Sequence, residues 1–152
     1  MKLRSAFTMI ELIFVIVILG ILAAVAIPKL SATRDDAVNV SLAQSIMIGT
    51  GEVASYATAH GETISDLTQM SNGLLSLVTS GKATKDTSAH SVNIIRGSIN
   101  DCVSVHVDVG VNEENLTLLL GSAGNDADCL GLQRLIDQTV YPMVLKGIKV
   151  EY

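Results

Sequence analysis

One carboxylate, Glu11, lies near the start of a run that is otherwise apolar: residues 6–28 read AFTMIELIFVIVILGILAAVAIP. An unpaired charge in hydrocarbon costs at least a few kcal/mol, so an ionisable residue in such a segment is usually functional. A cationic partner would offset this cost. Glu11 is therefore the first candidate for a functional residue, and the source of the cation is the question that it raises.

The segment CVSVHVDVG contains the three residue types of a catalytic triad: Ser104, His106 and Asp108. Their alternate spacing puts them on one face of a strand, where neighbours project side by side at about 7 Å. A triad needs hydrogen-bond contact, at about 3 Å, between successive members. The pattern therefore indicates a solvated sheet face, and the chain is not predicted to be an enzyme.

The charge of the chain is unevenly distributed. Lys2 and Arg4 precede the apolar run, whereas the chain from residue 29 onward has eight Lys and Arg against fourteen Asp and Glu. A basic stub before an apolar segment stays cytoplasmic by the positive-inside rule, so we expect the acidic remainder to be exported. Nucleic acid is not expected as a partner, because phosphate contacts need clustered Lys and Arg.

Two cysteines, Cys102 and Cys129, lie in the part that is expected to be exported. In an oxidising compartment, a small and even number of cysteines predicts a disulfide. A reduced pair or a metal site is the alternative, but His60, His90 and His106 stand at no recognised ligand spacing from the cysteines. A disulfide here would stabilise the fold by about 3 kcal/mol, by restricting the unfolded chain.

The apolar run is long enough to cross a membrane. As a helix, residues 7–27 would span roughly 31 Å, which matches the hydrocarbon thickness of a bilayer. Three interpretations compete: a signal peptide cut after Ala26, with Ala24 and Ala26 as the small residues; a plain anchor; and a hydrophobic helix that moves from membrane to polymer. The first two give no reason for Glu11.

The stretch RSAFTMIELIFVIVILGILAAVAIPKL resembles the amino-terminal segment of type IV prepilins and of type II secretion pseudopilins. The resemblance implies cleavage between Ala6 and Phe7 by a prepilin peptidase, and methylation of the new amino group of Phe7. Gly20 and Pro28 match the positions that weaken the helix in that family. The residue before the cut is most often Gly there, so Ala6 is a departure, and we expect it to slow cleavage.

The same resemblance implies how Glu11 finds its cation. Once Phe7 is the first residue, its amino group lies about one helical turn from Glu11, and in a stacked polymer the carboxylate can meet the terminus of a neighbouring subunit. The expected partners are further copies of the chain in a helical filament, the prepilin peptidase, and an inner-membrane assembly platform with its ATPase. The alternative in which Glu11 only reaches the lipid headgroups remains open.

This interpretation divides the chain into three parts. Residues 1–6 form a cytoplasmic leader, 7–28 a transmembrane and polymerisation stem, and 29–152 a periplasmic or extracellular domain, anchored in the inner membrane before assembly. A pilus subunit and a secretion pseudopilus subunit are both compatible with the stem. The alternative of a different class is an exported binding or hydrolytic domain with an ordinary signal peptide or a plain anchor.

The loop GSAGNDADC carries oxygen-bearing side chains at Asn125, Asp126 and Asp128. Such residues are calcium ligands in some pseudopilin loops, so calcium is a weak candidate cofactor here, and no other cofactor is predicted. The loop lacks the full ligand set of a recognised calcium site. A turn-rich surface loop, held by Cys129, is the main interpretation.

Beyond Pro28, apolar residues recur every three or four positions while polar residues occupy other faces, as in an amphipathic helix. The apolar set is Val38, Leu42, Ile46, Gly49, Val53 and Ala57, and the polar set is Arg34, Asp35, Asp36, Asn39 and Gln44. The helix is predicted to end near His60 and Gly61.

A second, short helix is predicted within residues 63–81. Thr63 and Asp66 resemble a capping box at its start, and Asn72 with Gly73 interrupts or ends it.

After Gly81 the sequence changes to short β-rich runs: SVNIIRG, CVSVHVDVG, LTLLLG and MVLKGIKVEY. In the second run, Val103, Val105, Val107 and Val109 share one face and predict a buried side. The fold class is therefore α+β: a long amino-terminal helix whose later half packs on a small antiparallel sheet.

Overall fold

The structure is a computed structural model of the chain, and it describes residues 8–110 and 113–146, without the side chains of residues 27–33. The predicted leader, with Ala6, lies outside the described residues, as do Phe7 and the end of the predicted last strand. The chain divides into two compact units, Met1–Ala37 and Val38–Tyr152.

Helix α1 (Met9–His60) begins in the first unit. Its segment Met9–Ala26 has a mean hydropathy of 2.9 and no buried share, and it is the one described helix that could cross a membrane by length and composition. A helix suits that setting because it satisfies its backbone groups internally. Gly20 and Pro28 both lie inside α1, and their softening role stays a prediction.

In the second unit, α1 buries one stripe of side chains. The predicted apolar residues Leu42, Ile46, Gly49, Val53 and Ala57 are all buried, and Val38 packs against them half-buried. The helix ends at His60, and Gly61 follows with φ +73°, a left-handed conformation that favours glycine. The predicted stripe and the predicted end of α1 are both confirmed.

Asn39 was predicted to lie on a polar face of α1, apart from the apolar stripe, but the structure buries it. The residue is 3% exposed. Its Oδ1 accepts a 2.6 Å hydrogen bond from Nε of Arg96, which supplies the partner that a buried amide needs.

The region predicted as one interrupted helix contains α2 (Leu67–Met70) and α3 (Asn72–Thr79). Asp66 caps α2, and Ser71 caps α3 by accepting a hydrogen bond from the N–H of Leu74. The predicted capping box is wrong, because Thr63 donates its N–H and its hydroxyl to Glu114 instead.

Within the described residues, five strands form one antiparallel sheet in the order β1-β2-β3-β4-β5. Their bounds are β1 Ala83–Asp86, β2 Ser91–Arg96, β3 Ile99–Val109, β4 Glu114–Leu120 and β5 Met143–Lys146. The first three predicted runs correspond to β2, β3 and β4, and the described start of the fourth run is β5. β1 was not predicted, because three of its four residues are exposed and give no apolar alternation.

The central strand β3 supplies the middle of the core. Val105 stands opposite Val92 of β2 and Leu118 of β4, and Val103 and Val107 are buried beside it. These valines belong to the same core cluster as the buried stripe of α1. Val109, predicted on the buried side, is 54% exposed at the end of its strand. The α+β fold class is confirmed.

A further helix, α4 (Ala127–Gln133), was not predicted; it begins in the last three residues of the predicted turn-rich loop, residues 121–129. Asp126 is its N-cap and accepts a hydrogen bond from the N–H of Cys129. Its Leu132 is buried in the core. The sequence ADCLGLQ is too short and too rich in Asp and Gly for its helical period to be recognised.

Candidate functional site

Glu11 lies in the first turn of α1 and closes a capping box with Thr8. The N–H and the hydroxyl of Thr8 both donate to Oε2 of Glu11, at 3.0 and 2.9 Å. In return, the N–H of Glu11 donates to Oγ1 of Thr8 at 3.3 Å. The sequence carried this signal in TMIE, and the interpretation of Glu11 as an unpartnered acid missed it.

The cation predicted for Glu11 lies outside the described residues, because Phe7 is not among them. Thr8 follows Phe7 directly in the sequence, so an amino group created at Phe7 would be adjacent to the residue that already contacts the carboxylate. The pairing of Glu11 with the terminus of Phe7 stays a prediction.

The helix around Glu11 exposes a continuous apolar surface. Ile10, Phe14 and Leu22 are each more than 60% exposed, and so is Ile21. A β-carbon placed on Gly20 would meet no atom within 4 Å. Burying such a surface is strongly favourable at about 25 cal/mol per Å², so this segment requires lipid or other apolar helices around it.

The two cysteines form the predicted disulfide, Cys102–Cys129, with Cα atoms 5.6 Å apart. Both residues are fully buried. The bridge joins β3 to α4, and Nε2 of Gln133 reinforces the junction by donating to the carbonyl oxygens of Cys102 and Gly121.

Two of the three side chains proposed for calcium, those of Asp126 and Asp128, have other partners. Asp126 accepts hydrogen bonds from the N–H and hydroxyl of Ser98 at 2.9 and 2.8 Å, and from Cys129 at 3.0 Å. The backbone N–H of Ser98 is the main cause that lowers the pKa of Asp126 to about 2. Asp128 instead pairs with Arg96 at 3.1 Å. Among the described residues, no group of three or more His, Cys, Asp and Glu is placed to hold a metal ion.

The three triad-type residues of β3 do not form a triad. Oγ of Ser104 donates to Oδ1 of Asn93 at 2.5 Å and so takes part in a different contact. His106 and Asp108 are in contact, with Nδ1 and Oδ1 3.1 Å apart. The strand spacing therefore did not exclude contact between these two side chains. Thr117 adds a hydroxyl contact to Asp108 at 3.3 Å. The result is a cross-strand polar cluster on a partly exposed sheet.

Comparison with known proteins bears on the amino-terminal segment. A search of curated proteins and a search of solved structures each return no match to the chain. Residues 1–27 match the family described as the prokaryotic N-terminal methylation motif. This segment includes Glu11, Thr8 and the exposed apolar start of α1, and it carries the prepilin-type cleavage and methylation signature of type IV pilin-like proteins.

Proposed function

We propose that the chain is the precursor of a structural subunit of a pilus-like filament, either a type IV pilus or a type II secretion pseudopilus. The match of residues 1–27 to the methylation motif carries this proposal. In it, residues 1–6 are a leader that a prepilin peptidase removes, and Phe7 becomes the methylated first residue. Residues 7–28 are the polymerisation stem, and 29–152 are the exported domain.

The exposed apolar surface of Met9–Ala26 supports polymerisation through the stem. In the membrane, lipid covers this surface, and on leaving the bilayer it needs an apolar cover of equal extent. Stems of other copies supply that cover through head-to-tail contacts, which generate a helical filament when the rotation between copies does not close a ring. Gly20 and Pro28 make the stem easier to deform during this transfer, since both weaken a helix.

Glu11 sets the register of the stems. Its carboxylate pairs with the amino group of Phe7 in a neighbouring subunit, and breaking a buried pair by removing one partner typically costs about 3–5 kcal/mol. Before cleavage, Thr8 satisfies the carboxylate with neutral donors. After cleavage, the charged amine competes with these donors, because charge-assisted hydrogen bonds are roughly twice as strong.

Two features of the domain are compatible with this proposal. Its disulfide suits an oxidising compartment. The hydroxyl of Ser104 donates to Asn93, so Ser104, His106 and Asp108 do not form a catalytic triad. In this proposal the inner-membrane platform and its ATPase act on the stem, and the acidic domain faces the periplasm and then the filament surface.

The first experiment is the intact mass of the chain recovered from cells that contain a prepilin peptidase. Loss of six residues with gain of one methyl group supports the proposal. Loss of 26 residues supports an ordinary signal peptide, and an uncut chain supports a plain anchor; either result contradicts the proposal.

The second experiment tests the role of Glu11. The variant Glu11→Ala should be cut and methylated normally but should enter sheared surface filaments much less than the wild type, whereas the matched variant Glu62→Ala, at an exposed position of the domain, should enter them normally. Unchanged incorporation of Glu11→Ala contradicts the pairing. The share of this chain in the filament protein is a further measurement. A bulk component is a major pilus subunit, whereas a trace component is a minor subunit or a pseudopilin.

A further inference from the structure

The sequence contains a single Asn-Gly dipeptide, Asn72-Gly73, and it begins α3. Asn72 is exposed to solvent. Glycine offers no side chain to hinder attack by its backbone nitrogen on the preceding asparagine, so an Asn-Gly dipeptide in a mobile chain is the most reactive setting for spontaneous deamidation.

The reaction is an intramolecular acyl transfer. The backbone nitrogen of Gly73 loses its proton and attacks Cγ of Asn72, which forms a nitrogen–carbon bond and expels ammonia. Water then opens the resulting cyclic imide at either carbonyl and gives aspartate or isoaspartate. The net change consumes one water and releases one ammonia, with no oxidant or reductant.

In the folded chain, Glu52 of α1 holds the reacting peptide group. The N–H of Gly73 donates to Oε2 of Glu52 at 2.8 Å, and the hydroxyl of Ser71 donates to the same oxygen at 2.7 Å. The backbone of Gly73 also lies against α1, since a β-carbon added there would stand 3.3 Å from Cα and from N of Gly49. The N–H of Gly73 is the main cause that lowers the pKa of Glu52, so the carboxylate is ionised at neutral pH.

We propose that Asn72-Gly73 is a deamidation site, and that its contact with Glu52 keeps it unreactive while α3 is docked on α1. Two features of the contact oppose the reaction. The helical ψ of Asn72 turns the nitrogen of Gly73 away from Cγ, whereas attack needs a more extended residue. The carboxylate stabilises the N–H and repels the negative charge that builds on this nitrogen as it loses its proton.

Modification of the site would undo the docking that protects it. Isoaspartate lengthens the backbone by one methylene, which disrupts the first turn of α3, and both products add a negative charge beside Glu52. Leu74 and Leu77, which α3 contributes to the core, would then lose their support. The reaction is therefore irreversible in its structural effect as well as in its chemistry.

The test follows deamidation of the full-length chain in detergent micelles, at mildly alkaline pH, by mass spectrometry of the fragment that contains Asn72. Isoaspartate in the same fragment is counted by enzymatic methylation. In Glu52→Ala the rate constant at Asn72 should rise about tenfold, which corresponds to about 1.4 kcal/mol of lost contact. Glu52→Gln keeps an acceptor oxygen without the charge, and its rate should be intermediate.

Asn100, exposed and followed by Asp101, is the internal reference for global unfolding, and Glu62→Gln is the matched control for loss of an acidic residue. Faster reaction at Asn72 without a change at Asn100 supports the proposal. An unchanged or slower reaction at Asn72 in Glu52→Ala overturns it, the slower rate because Glu52 would then act as a base. An equal rise at Asn72 and Asn100 also overturns it, since the protection would then come from the whole fold.

Discussion

Glu11 has two kinds of hydrogen-bond donor available at different stages of the proposed pathway. In the structure, Thr8 supplies a backbone N–H and a hydroxyl to its carboxylate. These contacts keep the acid satisfied near the membrane without a cation. The capping box therefore has a consequence that can be measured in the precursor alone, before any filament exists.

We expect Thr8→Val to loosen the start of α1 in the uncut precursor. The change removes the hydroxyl but keeps the shape of the side chain, and loss of a Ser or Thr cap typically costs about 1 kcal/mol. Amide hydrogen exchange in micelles should become about fivefold faster at Glu11 and Leu12, whose N–H groups donate to Oγ1 and to the carbonyl oxygen of Thr8. Thr8→Ser should exchange at the wild-type rate, and equal rates in all three chains would show that the capping box does not hold the helix start.

Asp66 predicts a pH dependence of the stability of the domain. Its salt bridge with Nζ of Lys85, at 2.6 Å, is the main cause that lowers the pKa of Asp66 from 3.8 to about 2. A group whose pKa is lowered by folding stabilises the fold above its unfolded pKa, and this contribution is lost as the pH falls through the folded pKa. The stabilisation is therefore complete above about pH 4 and disappears towards pH 2.

In Asp66→Asn, the free energy of unfolding should fall less steeply between these two pH values than in the wild type, as measured by urea titrations at several pH values. Lys85→Met removes the main cause but keeps the cap of α2, so its slope should lie between the two. An identical slope in all three proteins would show that Asp66 does not contribute to the loss of stability as the pH falls.

At the scale of elements, the sequence predicted those with a clear period or a long apolar run. The 3.6-residue period gave the buried stripe of α1, and β-branched alternation gave β3. The elements that it missed, β1 and α4, have seven residues at most, and tertiary contacts rather than local pattern hold them. Asn39 was misassigned for a similar reason, because its partner Arg96 is distant in the sequence.

The residues of the candidate site were also predictable where the sequence carries a local signal, and not where a role depends on a distant partner. Glu11 was recognisable because an acid in an apolar run is unusual, and the disulfide because the chain has only two cysteines. The roles of Asp126 and Asp128 were not predictable, since each depends on a partner about thirty residues away, Ser98 or Arg96. The contact of Glu52 with Gly73 depends on how α3 docks on α1, which no local signal encodes.

The docking of α3 on α1 predicts opposite effects of the same substitution at two glycines of one helix. A β-carbon at Gly49 would lie 2.9 Å from Cδ2 of Leu74, whereas one at Gly51 would meet nothing within 4 Å. Gly51→Ala should stabilise the domain by about 0.5–1 kcal/mol, because alanine costs less entropy in a helix. Gly49→Ala gains the same term but overpacks the core, which typically costs about 1–3 kcal/mol, so it should be destabilising overall.

Urea denaturation followed by tyrosine fluorescence measures both variants, since Tyr56 and Tyr141 pack against the core of the domain. Equal stabilisation by the two substitutions would mean that α3 does not dock closely on α1 at this point.

At the scale of the whole molecule, the two compact units have separate roles in the proposed function. The first unit, Met1–Ala37, contains the segment that matches the methylation motif up to residue 27. The disulfide and the core cluster lie entirely in Val38–Tyr152. The residues that would direct processing are therefore distinct from those that stabilise the domain.

Removing the disulfide should consequently weaken the domain and leave processing intact. The bridge closes a loop with a sequence separation of 27 residues. The chain-entropy relation then assigns it about 3–4 kcal/mol, a large part of the stability of a small domain. Cys102→Ser with Cys129→Ser should lower the free energy of unfolding by that amount in urea titrations, while the intact mass still shows loss of the leader and gain of a methyl group.

The single variant Ala6→Asp should give the opposite result, a stable domain on an uncut chain, because a protease pocket that admits a small residue before the cut excludes a charged one. If the doubly substituted chain is left uncut while its domain remains folded, the two units are not independent, and the stem alone does not determine processing.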